Sequence, residues 1–262
     1  MNLVLLHSDD FQEEHRVRLL GERATHIREI HRANPGDTLR VGLVGGPMGE
    51  GVILALDDKS VELSVTWREC PPAPSSIELL VAMPRPQTLK KILAMITSIG
   101  VKRLVLVSSA RVEKSYFDSP LLSEASLTRE LELGLAQGCD TILPHIVIRK
   151  RFKPFIEDEL SLFWPAPTRR LLAHPDATTD LLGVVPTPTK DPVVLAIGPE
   201  GGWVPFEVEL LEAHGFQRFT TGPRILRVET AVFFLLGQLE LLWGRKTPAS
   251  SPDLQVGDSH GS

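Results

Sequence analysis

From Ile77 onward the chain alternates continuously apolar runs with segments of helical period, and this rhythm leaves few folds open. The runs are IELLVAM (77–83), RLVLVSS (103–109), ILPHIVI (142–148), RRLLAH (169–174) and VVLAIG (193–198). Helical patterns lie near 87–99, 123–138, 153–161, 205–214 and 228–243. A strand that is apolar along its whole length must be covered on both faces. Strands separated by helices run parallel, so the expected class is α/β with a parallel sheet. Sheets of this kind bind ligands beyond the carboxyl ends of their strands, where loop N–H groups are free.

Residues 1–70 have a different pattern. LVLLH (3–7) reads as a short strand, ATHIREIHR (24–32) as a helix with Ile27 and Ile30 inward, and Asn34-Pro35-Gly36 as a turn. DTLRVGLV (37–44), GVILALD (51–57) and SVELSVTW (60–67) follow as strands. Short strands punctuated by glycine turns suggest a small β-barrel. The proline-rich CPPAPSS (70–76) is a break, so the expected domains are 1–70 and 77–246. The stretch 247–262, TPASSPDLQVGDSHGS, has little to bury and is expected to be a disordered tail.

Bulk properties exclude several classes. With 42% hydrophobic residues the 262-residue chain has ample material for a core. Yet no stretch approaches the roughly 20 consecutive apolar residues of a membrane span. Met1-Asn2-Leu3 does not begin a basic-then-apolar leader, so no signal peptide is expected. Cys70 and Cys139 lie far apart with no partners at metal-ligand spacing, and the eight histidines are scattered. No metal site is expected, and a reducing cytoplasmic location fits.

A net charge of −5 argues against indiscriminate nucleic-acid binding. Between Arg16 and Arg40, however, six arginines (Arg16, Arg18, Arg23, Arg28, Arg32, Arg40) face three acids (Glu22, Glu29, Asp37). A second basic run, Arg149-Lys150-Arg151-Phe152-Lys153, comes later. Either is a solvated face or a nucleic-acid contact.

The strand VVLAI empties into Gly198-Pro199-Glu200-Gly201-Gly202, and a helical pattern starts near Pro205. This is neither a phosphate loop nor a dinucleotide fingerprint, and Pro199 removes an N–H that a phosphate cradle needs. Alone, such a loop is first of all a tight turn. A second glycine loop, TTGPRILRVETA (220–231), follows and leads into an apolar helix. Together, IGPEGG and GPRILRVETA closely resemble the two signature segments of the 16S ribosomal RNA uridine-N3 methyltransferases of the SPOUT superfamily. Thr221 stands where leucine is usual, and LAHP (172–175) resembles the family's L-H-P strand end.

The resemblance runs the length of the chain. It implies an N-terminal PUA-like RNA-binding β-barrel, which HIREIHRANPGDTLRV fits. It also implies a C-terminal SPOUT α/β domain whose parallel sheet ends in a trefoil knot, a feature otherwise nearly absent from proteins. The implied cofactor is S-adenosylmethionine, held by Leu172, His174, Ile197, Gly198, Glu200, Gly201, Gly202, Thr221, Gly222, Ile225 and Leu226. The implied substrate is ribosomal RNA or the small ribosomal subunit, and the implied assembly is a homodimer using the last helix. Glu200 has two readings, capping the Pro205 helix or favouring the cofactor's positive sulfonium.

N3 of uracil keeps its proton at neutral pH, so methylation needs a proton acceptor, donors for charge on O2 and O4, and alignment. Arg227 and Glu229, directly after the second loop, are the candidate catalytic pair; a structural pair pinning the knot is the alternative. Arg224 and Thr230 are expected to hold the loop. The segment LAQGCDTILP (135–144) departs from the family's E-Q-x-x-R pattern, with Ala136 and Asp140 at the glutamate and arginine positions. Arg111 and Lys114 in RVEKSY and Arg151 in RKRFKPF combine cations with aromatics that can stack on bases. With Arg28, Arg32 and Arg40 they are the candidate RNA contacts, unless these are solvated loops. Methyl transfer to another RNA position, such as a ribose 2′-hydroxyl, and a non-catalytic RNA-binding assembly factor are the alternative functions.

Overall fold

The computed structural model describes residues 2–29, 33–185 and 191–243. Ile30, Arg32, and the 247–262 segment named above lie outside the described residues. The strands fall into two six-stranded sheets.

The first sheet has the order β1-β4-β5-β6-β3-β2. Its strands are β1 (Val4–Leu6), β2 (Phe11–Glu13), β3 (Arg16–Leu20), β4 (Thr38–Leu43), β5 (Met48–Leu56) and β6 (Ser60–Glu69). Neighbours are antiparallel except the β1–β4 pair. Strands β2 and β3 were not expected. Yet Arg16-Val17-Arg18-Leu19 is a clear alternation, with both arginines exposed and both aliphatics fully buried. Such period-two patterning puts one set of side chains on each face. Helix α1 (Gly21–Glu29) covers the sheet through Ala24 and Ile27, which pack with Val17, Leu19, Val41, Ile53 and Leu63.

The alternation also disposes of the basic excess. Arg16 pairs with Glu62 (2.7 Å), Arg23 with Asp10 (2.6 Å) and Arg40 with Glu69 (2.7 Å), while Arg28 donates to the Asp58 carbonyl (2.6 Å). Of the six arginines, Arg16 and Arg40 thus meet carboxylates on β6, and Arg23 meets one at Asp10.

The second sheet is wholly parallel, in the order β12-β10-β11-β7-β8-β9. Its strands are β7 (Ile77–Ala82), β8 (Arg103–Val107), β9 (His145–Arg149), β10 (Arg169–Ala173), β11 (Val193–Ile197) and β12 (Phe216–Phe219). Leu79, Leu80 and Val81 are all fully buried, so both faces are covered, as continuous apolar strands require. Each such side chain stabilises the fold by about 1.5–3 kcal/mol relative to exposure.

On one face lie α2 (Pro86–Ile99), α3 (Glu124–Gly138) and α8 (Val228–Trp243), packed on Leu79, Leu104, Leu171 and Leu195. Around the other face pack α4 (Phe152–Pro154), α5 (Leu160–Phe163) and α7 (Pro205–Ala213), through Phe155, Trp164 and Leu211 against Leu80 and Val105. The helix expected over 153–161 is broken: a π turn, Phe155–Glu159, joins α4 and α5. A short α6 (Leu181–Val184) follows β10. Strand β12 was also missed, being four residues long with only Phe216 and Phe219 buried.

The two sheets are joined by the segment 135–144. Leu135 and Ala136 pack with Leu3, Leu5 and Met48. The Leu3 N–H donates to Ala136 (3.1 Å), Gly45 N–H to Thr141 (2.8 Å), and the Thr141 hydroxyl to the Gly46 carbonyl (2.6 Å). Asp140 is buried beneath this joint and accepts from Lys102 Nζ (2.5 Å) and the N–H groups of Thr141 and Ile142. Side chains at the positions that depart from the family pattern are thus internal to the molecule.

Candidate active site

Three adjacent strands, β10, β11 and β12, end on one side of the parallel sheet, and the motif loops leave from those ends. After Ile197 the loop turns on itself, with Gly202 N–H donating to the Pro199 carbonyl (2.8 Å) at a φ of +74°. Helix α7 begins at Pro205, and its start is capped by Glu207. That buried carboxylate accepts from Val204 N–H (3.0 Å) and Ala110 N–H (2.7 Å). Glu200 is not the cap of this helix. Its Oε1 accepts from the Arg85 N–H (3.2 Å), at the entry to α2.

Two of the glycines serve the protein's own packing. A Cβ on Gly198 would sit 3.0 Å from Trp203 Cδ1, and one on Gly201 3.1 Å from Arg111 Cδ. Arg111 also donates a short hydrogen bond to the Gly201 carbonyl, so its guanidinium is tied to this loop. Gly222 is different. It has a φ of +103°, its N–H donates to Thr220 Oγ1 (3.2 Å), and the space a Cβ would enter is open. A β-branched residue is strongly disfavoured there.

Beyond Gly222, Ile225 is 86% exposed and Leu226 is half-buried. Thr221 is half-buried; the neighbouring Thr220 N–H donates to Thr179 (2.8 Å). At the end of β10, Leu172 is fully buried and His174 half-buried. The His174 N–H donates to Phe219 (2.9 Å), and Nδ1 accepts from Asp176 N–H (3.2 Å). Burial holds this imidazole below its ordinary pKa, against the opposing pull of the Asp176 carboxylate.

A cavity of about 850 Å³ opens where the Glu200 loop meets the start of α8 and the start of α2. Glu200, Arg227 and Glu229 line it together with Arg85, Gln87, Thr88, Lys91 and Tyr116. Arg227 is exposed and makes no ion pair or hydrogen bond through its guanidinium among the described residues; its carbonyl starts α8 by accepting from Ala231 N–H (2.8 Å). Glu229 lies 3.5 Å from Lys91 Nζ, so its structural partner is Lys91. The Tyr116 phenol donates to Glu113 (2.8 Å), and its pKa is raised by burial first and by that bond second. Arg85, Gln87, Thr88 and Lys91 were missed in the sequence. The available signal was the strand end IELLVAM running into a Pro86 helix start, since every parallel strand's carboxyl end is a potential ligand edge.

Of the candidate RNA contacts, Arg28 and Arg40 belong to the first sheet's unit, Arg111 and Lys114 follow β8, with Arg111 bonded to Gly201, and Arg151 follows the neighbouring parallel strand β9 at the start of α4. Among the described residues no group of three or more His, Cys, Asp or Glu side chains could hold a metal, and no helix is long and apolar enough to cross a membrane.

Of the residues read from the sequence as the cofactor side, Glu200 lines this cavity, while Gly222 has open space at its Cβ position and Ile225 is exposed. The buried Trp203 Nε1, next to Gly198, has no hydrogen-bond partner among the described residues, and such a donor costs about 1–3 kcal/mol if left unmet. These features define a small-molecule-binding α/β protein whose ligand loops border a charged, open cavity.

The chain belongs to the RNA methyltransferase domain family, whose model matches residues 71–240. It is 28% identical over 235 residues to the ribosomal RNA small subunit methyltransferase E of Treponema pallidum, covering 88% of this chain and 87% of that protein. The crystal structure of a ribosomal RNA small subunit methyltransferase E from Neisseria gonorrhoeae, bound to S-adenosyl methionine, superposes with a TM-score of 0.74 at 20% identity, covering 94% of this chain and all of that one. A probable rRNA-methyltransferase from Porphyromonas gingivalis gives a TM-score of 0.71 at 25% identity, covering 92% and 98%.

Proposed function

We propose that this protein is an S-adenosylmethionine-dependent methyltransferase acting on N3 of a uridine in 16S ribosomal RNA, in the cytoplasm. The observation that carries the reading is the cavity in which Glu200, Arg227 and Glu229 meet at the ends of the motif loops. Leu172, His174, Ile197, Gly198, Glu200, Gly201, Gly202, Thr221, Gly222, Ile225 and Leu226 form the cofactor side. S-adenosylmethionine, when bound there, supplies a methyl group already activated by its sulfonium. The chain's own residues do the rest. Arg227 donates to a uracil oxygen and stabilises the charge that develops there. Glu229, aimed by Lys91, takes the N3 proton as the N–C bond forms. Arg85 and Tyr116 hold the nucleotide at the cavity mouth, and water is excluded as it seats.

The wider organisation belongs to the same proposal. Residues 1–70 form a PUA-like barrel that touches RNA, with Arg28, Arg40, Arg111, Lys114 and Arg151 as contacts, and 77–246 form a SPOUT domain. A trefoil knot in its last part agrees with β12 pairing beside β10 rather than β11. A homodimer is supported by the apolar side chains that α8 leaves open, Phe233, Phe234 and Leu241, exposed by 59%, 44% and 83%. Purified protein, methyl-labelled S-adenosylmethionine and small subunits lacking native modification provide the test. Label in 3-methyluridine is expected. Label in another nucleoside keeps the cofactor and moves the substrate, and no label despite cofactor binding removes this target.

A further inference from the structure

A second cavity, of about 450 Å³, lies on the first sheet's unit, away from the motif loops. Its apolar walls are Phe11, Leu43 and Trp67, all half-buried, and the Phe11 and Trp67 rings stand 6.2 Å apart at 37°. Its polar lining is Ser8, Gln12, Glu13 and Glu14, with no lysine or arginine among the lining residues.

The charge balance here is the reverse of the surrounding surface. Elsewhere on this unit carboxylates are matched with arginines, as in Arg16–Glu62, Arg23–Asp10, Arg40–Glu69 and Arg68–Glu50. Glu13 stands opposite Arg16 across the β2–β3 pair, but the Arg16 guanidinium is bonded to Glu62. Neither Glu13 nor Glu14 has a lysine or arginine at ion-pair distance among the described residues, and the His15 ring lies 4.0 Å from Glu14. Two carboxylates at the mouth of an aromatic slot repel RNA phosphates and attract a cation, and the ring faces reinforce that attraction. The backbone adds a direction. Phe11, Gln12 and Glu13 make up β2, the edge strand of the sheet, with an irregular register between Phe11 and Glu13. An edge strand leaves half of its N–H and C=O groups unpaired, and a strand this short and irregular offers an incoming chain a local contact beside the slot rather than a full sheet extension.

We propose that this groove docks an extended basic segment of a protein partner, with an arginine or lysine side chain seated between Phe11, Trp67 and the Glu13–Glu14 carboxylates. The surface is separate from the methyl-transfer cavity and does not depend on what that cavity binds.

The test uses the full chain and two labelled probes at low salt, a short peptide of alternating arginine and glycine and an oligouridine of matched length. The E13Q/E14Q double variant is expected to weaken peptide binding at least about fivefold, with a similar loss for Trp67→Leu. Both variants should keep the wild-type affinity for S-adenosylmethionine, which separates loss of the groove from loss of the fold. The E157Q/D158N variant removes two charges at exposed positions on the other unit and should leave peptide binding within about twofold. Equal loss in that control makes the binding a general attraction to a negative protein and overturns the proposal. Unchanged peptide affinity in E13Q/E14Q overturns it too, and oligouridine binding that is lost on Trp67→Leu assigns the groove to RNA instead.

Discussion

The joint at 135–144 and the cavity at the start of α8 are both rich in polar side chains, and they use them in opposite ways. In the joint, Asp140 and Thr141 are buried, and each has its partners inside the molecule: Lys102, two backbone N–H groups and the Gly46 carbonyl. In the cavity, Arg227 is exposed with no partner for its guanidinium among the described residues, and Lys91 and the half-buried Glu229 meet at 3.5 Å. A polar group that is fully satisfied holds a structure together, and one left open is available to a ligand. The departing side chains Ala136 and Asp140 therefore serve to join the two units.

Substitutions can break or sharpen this contrast. The largest effect is expected for Asp140→Ala, which removes the buried carboxylate and leaves the half-buried Lys102 ammonium with the Ile142 carbonyl (2.6 Å). It should cost about 3 kcal/mol or more in denaturant unfolding and leave methyl transfer per folded molecule close to wild type. A stable variant with lost transfer would move Asp140 from the joint to the site. Gly222→Val comes next, because a β-branched residue is forced to a φ of +103° in the space proposed for the cofactor. Calorimetry should show affinity for S-adenosylmethionine reduced by at least about a hundredfold. Retained affinity puts the pocket elsewhere.

Arg227→Ala removes an open side chain, so melting should hardly change. Cofactor affinity should stay within about twofold while the rate of methyl transfer falls at least about tenfold. Wild-type turnover in this variant excludes Arg227 from the chemistry. The smallest effect is expected for Arg40→Ala, since its exposed pair with Glu69 is of the kind that contributes little. A shift in Tm under about 2 °C is expected, together with a loss in RNA affinity of about two- to fivefold, the scale of one lost phosphate contact. Unchanged RNA affinity would remove Arg40 from the proposed contacts.

What the sequence made legible follows from how local each signal is. Strands β7, β8 and β11 could be read because burial on both faces writes a continuous apolar run into consecutive residues. Strand β12 escaped because an edge position in a parallel sheet needs only Phe216 and Phe219 inward, and four residues carry no period. Strand β3 was hidden by its arginines, which drew attention as charge when their spacing marked a sheet face. At the site, Glu200, Arg227 and Glu229 were legible because they sit in contiguous motifs. Arg85 and Lys91 were not, because they reach the cavity through the register of β7 beside β11, a relation between segments more than a hundred residues apart. The two glycines packed on Trp203 and Arg111 carry the same lesson: the motif marked them, and only the fold said what presses against them.

The joint also sets a length. Because Leu3 is bonded to Ala136 and Gly45 to Thr141, the first sheet cannot swing relative to the second without breaking buried contacts. Under the proposed function, a molecule built this way works as a gauge, in which an RNA feature gripped by the first unit would lie at a fixed span from a base held in the cavity. Lengthening the RNA between those two points should therefore move the modified base or abolish modification, even when both contact sequences are intact.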